Sequence, residues 1–426
     1  MRGMNRRTFG LMAGAASMTL AAPMIARTQT KPRVVVIGGG SGGATAARYI
    51  AQDSENAIDV TLVEMNQEYT TCYFSNLYFG GFRTFESITH SYDRLASGYG
   101  VTMAFAMATG IDRDAKTVPL SDGSSVPYDK LVISPGIDLI YDSVDGYSKE
   151  VEGDIPHSWK PGEQTRIMKA QLDALEDGQN IVMVAPPNPY RCPPGPYERI
   201  SMFAHMLKSK GYSDSTITIL DPKPKFSKQG LFQAGWEQHY PGMVEWLGPD
   251  VHGGIKGIDP STKTVMTDLD DFEADMLTVI PKQKAGAIAT DAGLANDSGF
   301  CPIDPYTMKA QGNDDIYILG DASIAGDMPK SGFSANSQAK VAAMSVRHEL
   351  IDSRMFPARY SNTCWSLIAT DDGVKVGAQY SPTDEKIAST SSFISQNGES
   401  AEVRKETYEE SIGWYKGITT DMFGTT

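Results

Sequence analysis

The residues with the plainest chemical purpose lie between Lys31 and Glu64. Gly38, Gly40 and Gly43 form G-x-G-x-x-G directly after the apolar run Val34-Val35-Val36-Ile37 and directly before Ala44-Thr45-Ala46-Ala47. Glycines so placed permit a tight turn, close approach of backbone to a pyrophosphate, and close packing of the helix that follows. That helix N-terminus offers N–H groups and positive partial charge to the same pyrophosphate. A second apolar run, Asp59–Val63, ends at Glu64, about 20 residues past the last glycine, where a carboxylate accepts hydrogen bonds from a ribose diol. A glycine-rich loop in an unrelated α/β fold is the plain alternative, and it leaves Glu64 without a purpose. Together these residues specify a dinucleotide site.

The second set of reactive side chains is the four cysteines, Cys72, Cys192, Cys301 and Cys364. They allow three complete pairings, and in an oxidising compartment at least one disulfide is expected. None lies in C-x-x-C-H, so this chain attaches no c-type haem of its own. Metal-ligand spacing is absent among the cysteines, and the six histidines show no paired spacing. Cys192 lies in a proline-bracketed loop, Ala185-Pro186-Pro187-Asn188-Pro189-Tyr190-Arg191-Cys192-Pro193-Pro194-Gly195-Pro196. Glu198 follows it and is a candidate for handling protons near that thiol, the alternative being a solvated helix position.

Positioning these groups requires an α/β framework. The continuous run Val34–Ile37 suits a parallel strand buried on both faces. A chain of 426 residues holds two or three domains, and 41% hydrophobic with 21% charged residues is ordinary for a globular protein. The formal charge of −14 argues against nucleic acid and anionic membrane surfaces as partners. Asn5-Arg6-Arg7-Thr8-Phe9-Gly10-Leu11 followed by a modest apolar stretch predicts a twin-arginine export signal over residues 1–26 and a periplasmic location. No other stretch approaches the length of a spanning helix, so stable membrane insertion is not expected.

Further along, residues 69–92 read as a loop and helix over the cofactor, and Val101–Asp112 as a strand. Lys116–Leu120 and Ser124–Tyr128 form a hairpin around Asp122-Gly123. Gln179–Val184 opens a second α/β unit, but prolines stand where a second glycine fingerprint belongs. They fix φ and remove backbone donors, which argues against nicotinamide binding. The strand Ser215–Leu220 runs into Asp221, a remnant of the same layout. Ala274–Ile280 reads as a strand leading back into the first domain, and Ala335–Leu350 as a helix. After Pro357 a hairpin-like segment holds Cys364, Trp365 and Tyr380, followed by a polar tail with Trp414 and Tyr415.

Tyr128–Gly136 resembles the Y-D-x-L-V-x-A-T-G segment of two-dinucleotide flavoproteins, with Ser-Pro in place of Ala-Thr. Ile316-Tyr317-Ile318-Leu319-Gly320-Asp321 resembles their third fingerprint, in which the aspartate binds the ribityl or pyrophosphate region of FAD. Lys330, at the start of the next helix, is then placed to stabilise negative charge on a reduced flavin.

Across essentially the whole chain, these segments and the cysteines at 72, 192 and 364 resemble the flavoprotein subunit of flavocytochrome c sulfide dehydrogenase, a relative of sulfide:quinone oxidoreductases with the disulfide-reductase fold. The resemblance implies a sulfide dehydrogenase with FAD attached through Cys72, a redox-active disulfide of Cys192 and Cys364, hydrosulfide as substrate, and a c-type cytochrome partner carrying the haem. Alternatives are a sulfide:quinone oxidoreductase and a non-catalytic flavin-carrying protein with a structural disulfide. Cys301 departs from the three-cysteine pattern and is expected to be a buried free thiol. The expected architecture is an FAD-binding domain over residues 31–148 and 266–352, a second Rossmann-like domain over 149–265, and a C-terminal flavin-covering or interface domain over 353–426.

Overall fold

In the computed structural model the described residues are 30–424, so the twin-arginine segment lies outside them. Strand β1 (Arg33–Ile37) forms the centre of the first sheet, with Val34, Val35 and Val36 at most 1% exposed. Helix α1 (Ser41–Asp53) follows the glycine turn, and β2 (Asp59–Val63) returns parallel to β1. The five-stranded parallel sheet runs Ile316–Ile318, Lys130–Ile133, β1, β2, Thr102–Ala104. Its register sets Ile37 opposite both Val63 and Ile133, and Ile133 opposite Ile318. The carboxyl ends of four strands are therefore level, and the segments leaving them gather at one edge, where open α/β sheets bind ligands. Helix α2 spans Ser75–Phe79.

A second parallel sheet contains β3 (Asn180–Val184) and β4 (Thr216–Leu220), with helix α3 (Gly195–Ser209) between them. Its outer members are Val244–Leu247 and Met276–Val279. The last of these pairs with β3, so the strand expected to lead straight into the first domain instead completes the second sheet. The chain re-enters the first unit at Lys282–Ala285, which pairs antiparallel with Ile137–Ile140. The expected strand at 101–112 is ordered as such only over Thr102–Ala104, since Ala108 and Asp112 make only isolated bridges to the neighbouring hairpin.

Helix α4 (Gly332–Ile351) begins at Ser331, whose Oγ accepts the Ser334 N–H. The C-terminal part is larger than its sequence pattern implies. Strand β5 (Tyr360–Ala369) joins Asp372–Pro382 and Ile387–Ile394 in an antiparallel sheet, and α5 (Ala401–Phe423) is a helix of 23 residues. Thr407, Ser411, Tyr415, Ile418 and Met422 form its buried stripe. The spacing is helical, but the polar first members hide the period from a hydropathy reading.

Candidate functional site

The first cavity forms where the level strand ends meet. Gly38 to Gly42, Glu64, Tyr69, Ser134 to Gly136, Gly320 and Asp321 are among its lining. Gly38 has φ +94, and a Cβ there would stand 2.4 Å from the Ser134 carbonyl oxygen. A Cβ on Gly43 would meet the Gly38 carbonyl oxygen at 1.8 Å, so only glycine lets α1 start this close to the turn. Gly40 differs: a Cβ there would make only ordinary contact with the Tyr69 ring at 3.5 Å, so its role is to leave the cavity open. Glu64 Oε2 accepts the Gly39 N–H at 2.7 Å, and Oε1 accepts the Asn66 N–H and side-chain amide at 3.0 and 3.1 Å. A carboxylate has about four acceptor positions, so it keeps capacity for a diol.

Asp321 is the sharpest indicator of a ligand. Its Oδ1 is buried with no hydrogen-bond partner among the described residues, and burial pushes its carboxyl above the usual range, with Arg191 and Lys330 opposing. A buried oxygen of this kind is costly unless something donates to it. A ribityl hydroxyl is such a donor, so the residues present fit an FAD.

Lys330 departs from its expected place. Its Nζ donates to the Asp321 and Ser323 carbonyls, both at 2.8 Å, and lies 3.8 Å from the centre of the Phe300 ring. Burial lowers it to about 8. It braces the loop beneath Asp321 and does not line the cavity. The cation that does is Arg191, whose guanidinium is 3.7 Å from Asp321 Oδ2.

A second cavity adjoins the first. It is lined by Asn76, Cys192, Glu198, Phe333, Cys364 and Trp414, among others. Cys72, Arg191, Ser331 and Gly332 line both. Cys192 sits in the left-handed region at φ +58, held by its N–H to the Lys330 carbonyl at 2.7 Å and by the Gly195 N–H to its own carbonyl at 2.8 Å. The proline loop thus presents Cys192 at the start of α3. Cys364 arrives from β5, and its Sγ accepts from Asn362 Nδ2 at 3.4 Å. Ser331 Oγ orients that amide by donating to Asn362 Oδ1 at 2.5 Å. All four cysteines are unbonded thiols here, and Cys301 is buried. Burial raises the Cys72, Cys192 and Cys364 thiols. Asn362 and Lys228 oppose it at Cys364, and Arg191 opposes it at Cys72 and Cys192.

Glu198 is not a solvated helix residue. Its Oε2 accepts from Asn76 Nδ2 at 2.8 Å and its Oε1 from the Leu367 N–H at 3.0 Å. Burial raises its carboxyl, which favours a form able to hold a proton. Arg199, only 2% exposed, braces this wall through the His157 and Ser158 carbonyls at 2.7 and 2.6 Å.

The second Rossmann-like unit has its own acid, Asp221, at the end of β4, but that carboxylate is engaged internally. Lys223 Nζ donates to Oδ1 at 2.6 Å, while Tyr197 Oη and Trp246 Nε1 donate to Oδ2 at 2.6 and 3.0 Å. Tyr197 and Phe226 stack at 3.6 Å between centroids nearby. The Lys223 N–H also donates to Asp221 Oδ1 at 3.0 Å, so the roughly four acceptor positions of this carboxylate are taken.

Sequence reasoning missed Arg191, Lys228, Ser331 and Asn362. Only Arg191, beside Cys192, carried a local signal.

Two dinucleotide-type units, a glycine turn with its paired acid and an aspartate at the third strand end whose Oδ1 lacks a partner among the described residues define a flavoprotein with the disulfide-reductase fold. Three family models match: "Pyridine nucleotide-disulphide oxidoreductase" over residues 32–166, "Sulfide dehydrogenase [flavocytochrome c] flavoprotein chain, central" over 165–281, and "Flavocytochrome c sulphide dehydrogenase, flavin-binding" over 357–423. Among similar proteins, the flavocytochrome c sulfide dehydrogenase flavoprotein chain of Chlorobaculum thiosulfatiphilum is 52% identical over 44 residues, 10% of this chain and 90% of that one. The mitochondrial sulfide:quinone oxidoreductase of Dictyostelium discoideum is 23% identical over 336 residues, 75% of this chain and 71% of that one. The solved sulfide:quinone oxidoreductase of Aquifex aeolicus superposes with a TM-score of 0.73 at 18% identity over 93% of each chain. The chain belongs to the family of flavocytochrome c sulfide dehydrogenase flavoproteins and sulfide:quinone oxidoreductases.

Proposed function

We propose that this chain is the flavoprotein subunit of a periplasmic sulfide dehydrogenase, exported by the twin-arginine route. In this reading Cys192 and Cys364 form its redox-active couple, Cys72 attaches the FAD, and a c-type cytochrome partner carries the haem that takes the electrons. The observation that carries the reading is the junction of the two cavities. Cys72, Arg191, Ser331 and Gly332 line the dinucleotide cavity on one side and the cavity of Cys192, Cys364 and Glu198 on the other.

With the couple oxidised, hydrosulfide attacks one cysteine sulfur and the S–S bond breaks. The attacked cysteine becomes a persulfide that retains the proton, and the other leaves as a thiolate with the electron pair of the broken bond. Bound FAD supplies the conversion between an electron pair and single electrons. Glu198, with its raised carboxyl in the same cavity, holds or takes the proton. Asn362 donates to the Cys364 sulfur, and Arg191 sets positive charge between the thiols and the dinucleotide cavity.

Two of the matching family models and the Chlorobaculum relative are named for flavocytochrome c, which supports the cytochrome as acceptor. Among the described residues no helix is long and apolar enough to cross a membrane. The similarity to sulfide:quinone oxidoreductases favours a quinone acceptor as the second reading. Acid precipitation followed by peptide mass mapping tests the attachment, with flavin expected on the Cys72 peptide. Sulfide-dependent reduction of cytochrome c by the purified protein, set against quinone reduction in lipid, decides the acceptor. Full sulfide-dependent flavin reduction in Cys192→Ser would reduce the cysteine pair to a structural role.

A further inference from the structure

We propose that Lys228 is a positioning residue of the cysteine site, supplying the buried positive charge that favours the thiolate of Cys364 when the Cys192–Cys364 couple is reduced. The inference rests on the reading of those two cysteines as a redox couple.

Lys228 precedes the helix Gln229–His239 in the left-handed region, φ +63, and is only 5% exposed. Its Nζ donates to the Cys364 carbonyl at 3.1 Å and to Ser366 Oγ at 2.8 Å. Glu198 takes the Leu367 N–H on the same strand. The segment Cys364–Leu367 of β5 is thus gripped by a cation from one element and a carboxylate from another. The ammonium touches two neutral oxygens and lies 5.6 Å from the centre of the Phe232 ring, but among the described residues it forms no ion pair with a carboxylate. A buried ammonium without an anion is costly, and burial accordingly lowers Lys228 to about 8.

The groups whose charge meets it are few. Cys364, Glu198 and Cys192 all favour its charged form. Arg199 on α3 acts on Glu198, and Tyr380 on Asp372–Pro382 faces Cys364. Lys228 grips the backbone of Cys364 itself, so an anion that appears there on reduction, the Cys364 thiolate whose sulfur already accepts from Asn362, arises beside its charge. Stabilising a reduced thiolate makes a disulfide more oxidising, which assists the release of an electron pair onto Cys364.

The test uses the purified holoenzyme, reduced with a dithiol, with Cys364 alkylation followed against pH by peptide mass. Lys228→Met is expected to raise the alkylation midpoint by about one pH unit or more. It is also expected to shift the couple toward disulfide about tenfold in a glutathione titration. Lys228→Arg retains the wild-type midpoint. Lys228→Gln keeps a donor for the Cys364 carbonyl without charge, so it must follow Met; it also serves if the Met variant fails to fold. A wild-type midpoint in a folded Gln or Met variant overturns the charge role. A wild-type titration without a Cys192–Cys364 couple overturns the underlying reading as well, so the two failures are distinct.

Discussion

The Leu367 N–H donates to Glu198 Oε1 at 3.0 Å, joining the helix that starts beside Cys192 to the strand that carries Cys364. The carboxylate fixes the relative placement of the two cysteine-bearing elements while standing in their common cavity. Because burial raises its carboxyl, Glu198 binds a proton more readily in the folded chain than in the unfolded one. Stability from this group therefore falls as pH rises from the ordinary glutamate value of 4.5 through the raised folded value. Glu198→Gln removes that dependence, so the difference in melting temperature between variant and wild type should widen in the variant's favour across that window. Sulfide-dependent flavin reduction should fall roughly 100-fold. A parallel pair of pH–melting curves would refute the titration.

Gly195 sits under Cys192 with no room to spare. A Cβ there would lie 2.9 Å from the Cys192 sulfur and 2.9 Å from the Trp159 ring, which packs within the surrounding core. Gly195→Ala should cost about 1–3 kcal/mol in denaturant unfolding, as overpacking does. It should also slow closure of the proposed Cys192–Cys364 disulfide, measured by non-reducing peptide mapping. Closure at the wild-type rate would mean the sulfur does not rest against Gly195.

The dinucleotide site was legible because its determinants are local. Turn, helix start and acid fall within Gly38–Glu64, and each obeys a rule that acts over a few residues. The hairpin at 117–127 and the helix after Ser331 were legible for the same reason. The cysteine site was legible only through its cysteines. Lys228 and Cys364 are 136 residues apart, and Glu198 and Leu367 are 169 apart, so no sequence period registers either contact. Lys330 shows the converse failure. Its position at a helix start suggested a flavin contact, but the Asp321 and Ser323 carbonyls and the Phe300 ring claim its ammonium.

That placement makes Lys330 a stability residue. Lys330→Met leaves two carbonyls without their shared donor and should cost about 1–3 kcal/mol in unfolding. The flavin reduction potential, measured by dye titration, should change little compared with Arg191→Met, which removes the cation lining both cavities. A larger shift in potential for the Lys330 variant would put its charge back at the flavin.

Asp321 offers the direct test of how the dinucleotide is held. Its Oδ1 has no partner among the described residues, while Arg191 approaches Oδ2. In a Cys72→Ser background, where flavin is kept by non-covalent contacts alone, Asp321→Ala removes the unpartnered acceptor Oδ1. Loss of one such buried hydrogen bond is worth about 1.4 kcal/mol, or tenfold in affinity. Dialysed double variant should therefore retain about tenfold less flavin at limiting FAD than Cys72→Ser alone, read from the visible absorbance per protein. Asp321→Asn keeps an oxygen acceptor and should fall between the two. If the double variant holds flavin as firmly as its parent, the unpartnered oxygen does not face the cofactor.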